Sequence, residues 1–140
     1  MDDTPMNRLY KRVLCQAPIE QVFDALVTDS VVAEWMTADV ELDPWVDGCI
    51  VVAVDGWPKL AGHVVAFEPP GRLVVQWQAD DWRTSATLTF DLEESGRGCW
   101  VMIEEVGFVG DDEIFAQREV LWSHWLIRLA AVVARSRWSS

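Results

Sequence analysis

The chain has 140 residues, enough for one compact domain, and the expected organisation is a single domain over residues 1–140. With 51% apolar and 24% charged residues it can bury a core, which excludes bulk disorder. A net charge of −12 argues against a nucleic-acid partner and against electrostatic attachment to an anionic membrane. The composition is unusual in one respect: it includes nine Trp, where average usage gives roughly two. Rings of that size fill a core, line an apolar cavity or sit at an interface.

In chain order, the acidic start Met1-Asp2-Asp3-Thr4-Pro5 has no apolar run of a secretory signal. Leu9 to Cys15 predicts a first strand. Pro18 suits a first helical turn, and Ile19, Val22, Phe23 and Leu26 follow at helical spacing. Ser30 can cap a second short helix running to Trp35-Met36. Strand signals follow at Cys49 to Val54, Gly62 to Phe67, Leu73 to Gln78, Thr87 to Leu92 and Cys99 to Val106. Turns such as Glu68-Pro69-Pro70-Gly71 and Glu94-Ser95-Gly96-Arg97-Gly98 separate them, which predicts an antiparallel meander.

After Gly110-Asp111, the residues Phe115, Trp122, Trp125, Leu126, Leu129, Val132 and Val133 recur at helical spacing. Gln117, Arg118, Ser123 and His124 fall mostly outside that stripe. Asp111, Asp112 and Glu113 precede it and Arg128, Arg135 and Arg137 come late, as a helix dipole favours. No stretch matches a membrane-spanning helix, the nearest, Leu121 to Ala134, being broken by Ser123, His124 and Arg128. The expected fold class is α+β: a curved antiparallel sheet of six to seven strands, two short helices after strand 1, and a long C-terminal helix packed on the sheet.

Several landmarks resemble a known family. Ala17-Pro18-Ile19-Glu20-Gln21-Val22-Phe23-Asp24-Ala25-Leu26 looks like its opening, and Ala33-Glu34-Trp35-Met36 sits where it has a Trp followed by a large apolar residue. Val40-Glu41-Leu42-Asp43 and Gly48 resemble its second strand and hairpin. The segment from Gly62 through Pro69-Pro70-Gly71-Arg72-Leu73 to Trp77 looks like its central hairpin, and Val106-Gly107-Phe108 its last strand end. The chain thus resembles the START-like (SRPBCC) superfamily, and within it the domain related to the activator of the Hsp90 ATPase. The resemblance implies a helix-grip fold with a cavity between sheet and C-terminal helix. One departure is Val120-Leu121-Trp122, where relatives often carry a Gly-Trp pair.

Catalytic, nucleotide and metal motifs are absent from the sequence, so no cofactor or metal is expected and no catalytic residue is assigned. His63 and His124 read as surface residues, and two unpaired histidines do not make a metal site. Cys15, Cys49 and Cys99 lie far apart in sequence and read as small buried hydrophobes of a reduced cytoplasmic protein. Asp80-Asp81, Glu93-Glu94 and Asp111-Asp112 fall in turns or at a helix start.

Glu105 is the exception among the acids. Strand alternation places it with Val101 and Ile103, so it either faces the core, where it needs a partner or takes up a proton, or ends the strand in water. In the core it could anchor a ligand's polar group or act as general acid or base. Trp77, Trp122, Trp125 and Trp35 face the same interior, either filling it or lining a cavity. The candidate ligand-binding residues are Trp35, Val75, Trp77, Phe90, Ile103, Glu105, Trp122 and Trp125.

Trp45, Trp100 and Trp138 are expected to face outward, where they are consistent with self-association as a homodimer. Trp57 and Trp82 fall in loops of undetermined orientation. Three functions follow from the resemblance: binding of a hydrophobic small molecule, a cyclase or hydrolase reaction, and regulation of an Hsp90-type chaperone.

Overall fold

Period-two alternation generates seven strands and period-3.6 spacing three helices. The structure is a computed structural model describing residues 8–82, 84–107 and 112–136. In chain order it comprises β1 (Arg8–Cys15), α1 (Ile19–Val27), α2 (Asp29–Met36), β2 (Ala38–Leu42), β3 (Cys49–Val54), β4 (Leu60–Glu68), β5 (Arg72–Ala79), β6 (Ala86–Ser95), β7 (Gly98–Val106) and α3 (Asp112–Ser136). The strands form one antiparallel sheet in the order β1-β7-β6-β5-β4-β3-β2, curled into a half-barrel. Only β1 departs from sequential pairing. The two short helices carry the chain from β1 at one edge to β2 at the other.

Alternation decides which side of each strand meets the core. Leu88, Phe90 and Leu92 of β6, and Val101, Ile103 and Glu105 of β7, are buried, while the residues between them are partly open to water. Helix α3 lies across the mouth of the half-barrel, packed on β1, α2 and α1. Asp112 and Glu113 open it and Arg135 stands in its last turn; Asp111 and Arg137 lie outside the described residues. Toward its end it is tied to the short helices, through Arg128 donating to the Glu34 carbonyl at 3.1 Å, Arg135 pairing with the Glu34 carboxylate, and Gln21 donating to the Val133 carbonyl at 3.4 Å.

Two details differ from the sequence expectation. Thr28, not Ser30, occupies the N-cap of α2, and no side chain caps it. Pro18 is itself the N-cap of α1, its extended backbone ending where the helix begins. The carbonyls left over at the far ends of these helices find an unusual solution. The Trp35 indole donates to the Ala25 carbonyl at 2.9 Å, and the Trp125 indole to the Met36 carbonyl at 3.1 Å. Groups that a helix end leaves without an intrahelical partner are thus satisfied from inside the core.

Close approach of β4 to β5 requires a residue without a side chain at Gly62. A Cβ there would run into the Gln76 carbonyl and come within 2.6 Å of the Trp77 Cα. Gly62→Ala is expected to destabilise the protein by about 1–3 kcal/mol, the range for overpacking, with an unchanged urea m-value. Chemical denaturation monitored by circular dichroism measures it. A midpoint equal to that of the parent would show that the two strands do not approach so closely.

Candidate functional site

Glu105 is fully buried, at 0% exposure. Its register neighbours are Leu9 on β1 and Leu88 on β6, both buried and apolar, so the flanking strands offer its carboxylate nothing. The partners come from above and from one strand further on. Arg118 of α3 donates from Nε to Oε1 at 3.0 Å and from Nη2 to Oε2 at 2.9 Å, a bidentate pair. The Trp122 indole donates to Oε1 at 3.0 Å and the Trp77 indole to Oε2 at 2.8 Å. Each oxygen therefore accepts one guanidinium and one indole N–H. Four donors match the roughly four lone-pair directions of a carboxylate.

Arg118 is only 5% exposed. Its guanidinium carbon lies 5.5 Å from the Trp77 ring centre, 5.3 Å from that of Trp82 and 5.4 Å from that of Trp125. Three electron-rich faces around a cation, with a carboxylate closing the remaining side, replace the water it has lost. Ala86 stands between Trp77 and the β7 strand, pairing directly with Trp77, and its single methyl leaves space for the indole to cross toward Glu105.

The remaining candidates assemble around this pair. Trp122 packs on Trp125 with ring centres 4.8 Å apart, on Phe90 at 5.8 Å and on Trp35 at 6.4 Å, while Trp35 meets Trp125 edge-on at 6.4 Å. Val75 and Ile103 lie beneath on the sheet and are fully buried. All eight candidate residues thus share one interior. That interior is nearly full. The void bordered by Leu26, Trp35, Met36, Val75, Trp77 and Phe90 measures about 10 Å³, about the minimum that holds a single water. At the start of α3 a second recess of about 30 Å³ lies among Val54, Trp57, Leu60, Trp82, Ile114 and Leu121, with Arg118 at its base.

The expectation that Arg118 lies off the apolar stripe of the last helix is corrected by its burial. Its signal is visible in hindsight, because Arg118, Trp122, Trp125 and Leu129 are spaced by four, three and four residues and therefore share one helical face. Trp82 belongs to the same interior, reached from a loop with no periodicity to orient it. Trp57 stands at the rim, 42% exposed. Among the residues expected outside, Trp45 is 58% exposed and Trp100 is partly covered by the Arg12 guanidinium, 4.6 Å from its ring centre. Trp138 lies outside the described residues. His63 and His124 are exposed.

Cys15 and Cys99 are buried as expected, and one cysteine departs from expectation. Cys49 is exposed rather than buried, and Cys15 and Cys99, distant in sequence, are register partners across β1 and β7. Burial pushes the Cys15 thiol up to about 12 and raises that of Cys99, so neither is a ready nucleophile.

Comparison with known proteins agrees with this architecture. The family described as activator of Hsp90 ATPase homolog 1-like protein matches residues 16–134. The chain belongs to that family. Among solved structures, CalU16 from Micromonospora echinospora superposes with a TM-score of 0.77 at 20% identity, covering 94% of this chain and 79% of that one. The Aha1 dimer from Colwellia psychrerythraea gives 0.82 at 19% identity, with 91% and 96% covered. DynU16, from the dynemicin biosynthetic locus, gives 0.82 at 18% identity, with 93% of this chain and 48% of that chain covered. Identities this low establish a common fold. No functionally curated protein matches the sequence.

Removing one member of a buried ion pair strands the other. Glu105→Gln is expected to destabilise the domain by about 3–5 kcal/mol, because an amide N–H₂ would then face two donors. Replacing both members together, Glu105→Leu with Arg118→Met, is expected to recover most of that loss. Urea unfolding of the three proteins measures both effects. Equal stability of the parent and Glu105→Gln would show that the carboxylate is not enclosed by these donors.

Proposed function

We propose that this chain binds a small hydrophobic molecule between its sheet and α3, admitted at the recess where α3 begins. The observation supporting this is the recess itself. Val54, Leu60, Trp82, Ile114 and Leu121 make an apolar rim at the open end of the grip, and the exposed Trp57 ring stands beside it. Asp81, Gln117 and Arg118 also line the recess; behind it lie Trp35, Val75, Trp77, Phe90, Ile103, Trp122 and Trp125 as apolar walls, with Glu105 paired to Arg118. An aromatic or lipid-like body with a single polar end matches that lining.

The two voids between the sheet and α3, about 10 and 30 Å³, are far smaller than the roughly 300 Å³ of an ordinary ligand pocket. Binding is therefore coupled to opening: the molecule takes the place of a ring, or lifts the first turns of α3. Affinity is then reduced by the fraction of molecules that are open. The setting for this reading is the cytoplasm, with neither membrane nor nucleic acid as partner. Among the described residues no helix is long and apolar enough to cross a membrane.

The cyclase or hydrolase reading depended on Glu105 as acid or base, and both its oxygens are engaged by Arg118, Trp77 and Trp122. Regulation of an Hsp90-type chaperone is the second reading, from the family's description. The observation favouring it is an exposed apolar group made by Trp45, Val46 and Val65. Hydrogen bonds from the Asp47 N–H to the Val64 carbonyl, 2.8 Å, and from the Val64 N–H to the Gly48 carbonyl, 2.9 Å, hold the turn carrying Trp45 and Val46 against β4. The same group would serve a homodimer contact.

Titration with planar aromatic acids and medium-chain fatty acids, read by tryptophan emission, separates these readings. Small-molecule binding predicts a saturable single-site change that Trp57→Ala together with Leu121→Asp weakens at least tenfold. No saturable change with any probe, combined with stimulation of the chaperone's ATPase that Trp45→Ala removes, would replace this reading by the second.

A further inference from the structure

Cys15 closes β1 and Cys99 is the second residue of β7, and the two stand directly opposite each other in the antiparallel register. Directly opposed residues in such a pair have Cα atoms about 4.5–5.5 Å apart, inside the roughly 4.4–6.8 Å that a disulfide spans. Both side chains are on the core face. The register runs Leu9–Glu105, Lys11–Ile103, Val13–Val101, Cys15–Cys99, and the buried members Leu9, Glu105, Ile103 and Val101 fix which face that is. Both cysteines are free and fully buried, and the charge of one acts on the other. We propose that Cys15 and Cys99 are an oxidation site, forming a cross-strand disulfide on reaction with a low-molecular-weight disulfide.

The chemistry balances as two exchanges. One cysteine loses its proton and its thiolate attacks a sulfur of the small disulfide, forming a mixed disulfide and releasing the first small thiolate. The second cysteine, likewise deprotonated, attacks the protein sulfur of that mixed disulfide and expels the second small thiolate. The two protons shed by the cysteines end on the two small thiols, and the small disulfide is reduced by two electrons as the protein dithiol is oxidised.

Burial makes the pair latent. Cys99 is the sulfur nearer an opening, one residue from Gly98 and the Ser95–Gly98 turn, while the Cys15 carbonyl packs against Gly98. Reaction therefore follows local separation of this end of β1 from β7. The bond would fasten the strand on which α3 packs to the strand that carries Glu105. It would close a long loop and restrict the unfolded chain accordingly.

The test uses the full chain with the exposed Cys49 changed to Ser, incubated with oxidised glutathione well below its melting temperature. Peptide mapping without reductant is expected to show Cys15 joined to Cys99, with the mass of two hydrogens lost and no glutathione retained. The oxidised protein is expected to melt roughly 5–10 °C higher than the reduced one. Cys15→Ser or Cys99→Ser removes both effects. Free thiols after incubation in the folded state, a stable glutathione adduct, or an oxidised protein that melts lower would each overturn the proposal.

Discussion

A carboxylate facing the core of a half-barrel sets the terms for the rest of the molecule. Glu105 occupies an inward position of β7 between two apolar neighbours, and burying it unpaired would cost several kcal/mol. The cost is offset by one guanidinium and two indoles. Those donors must arrive from different elements: Trp77 from β5, and Arg118 and Trp122 from α3. The pairing therefore sets how far along the sheet and at what rotation α3 can sit. An apolar contact would tolerate a turn of sliding; four directed hydrogen bonds do not. The cation so imported is then wrapped by Trp77, Trp82 and Trp125, which accounts for much of the unusual tryptophan content.

The same solution explains why the interior is closed. Each of Trp35, Trp77, Trp122 and Trp125 has an assigned acceptor for its N–H, two at Glu105 and two at the ends of α1 and α2. A ring held at both its apolar body and its polar tip is not an idle wall around a cavity. It fills the space. In the proposed binding mode, entry of a guest would compete with these hydrogen bonds as well as with packing.

Much of this was legible in the sequence. Strand alternation put Val101, Ile103 and Glu105 on one face, and helical spacing put Trp122, Trp125 and Leu129 on another, because both periods follow from backbone geometry alone. Six of the seven strands, the two short helices and the long helix follow from the same periods, whereas β2, five residues long, is indicated only by the family resemblance. Arg118 repeats on the tryptophan face, but a cation at that position is legible as a core residue only once a buried anion opposes it. Trp82 had no period to orient it. The opposition of Cys15 and Cys99 depends on β1 pairing with β7, a contact between chain segments that no local pattern encodes.

The indoles of Trp77 and Trp122 are locked onto Glu105 in the native state. Hydrogen exchange of the indole N–H groups, followed by two-dimensional ¹H–¹⁵N NMR, tests it most directly. The Trp77 and Trp122 indoles are expected to exchange only through global or near-global unfolding, alongside those of Trp35 and Trp125, while Trp45 and Trp57 exchange rapidly. Exchange of the Trp77 or Trp122 indole at the rate of Trp45 would contradict it.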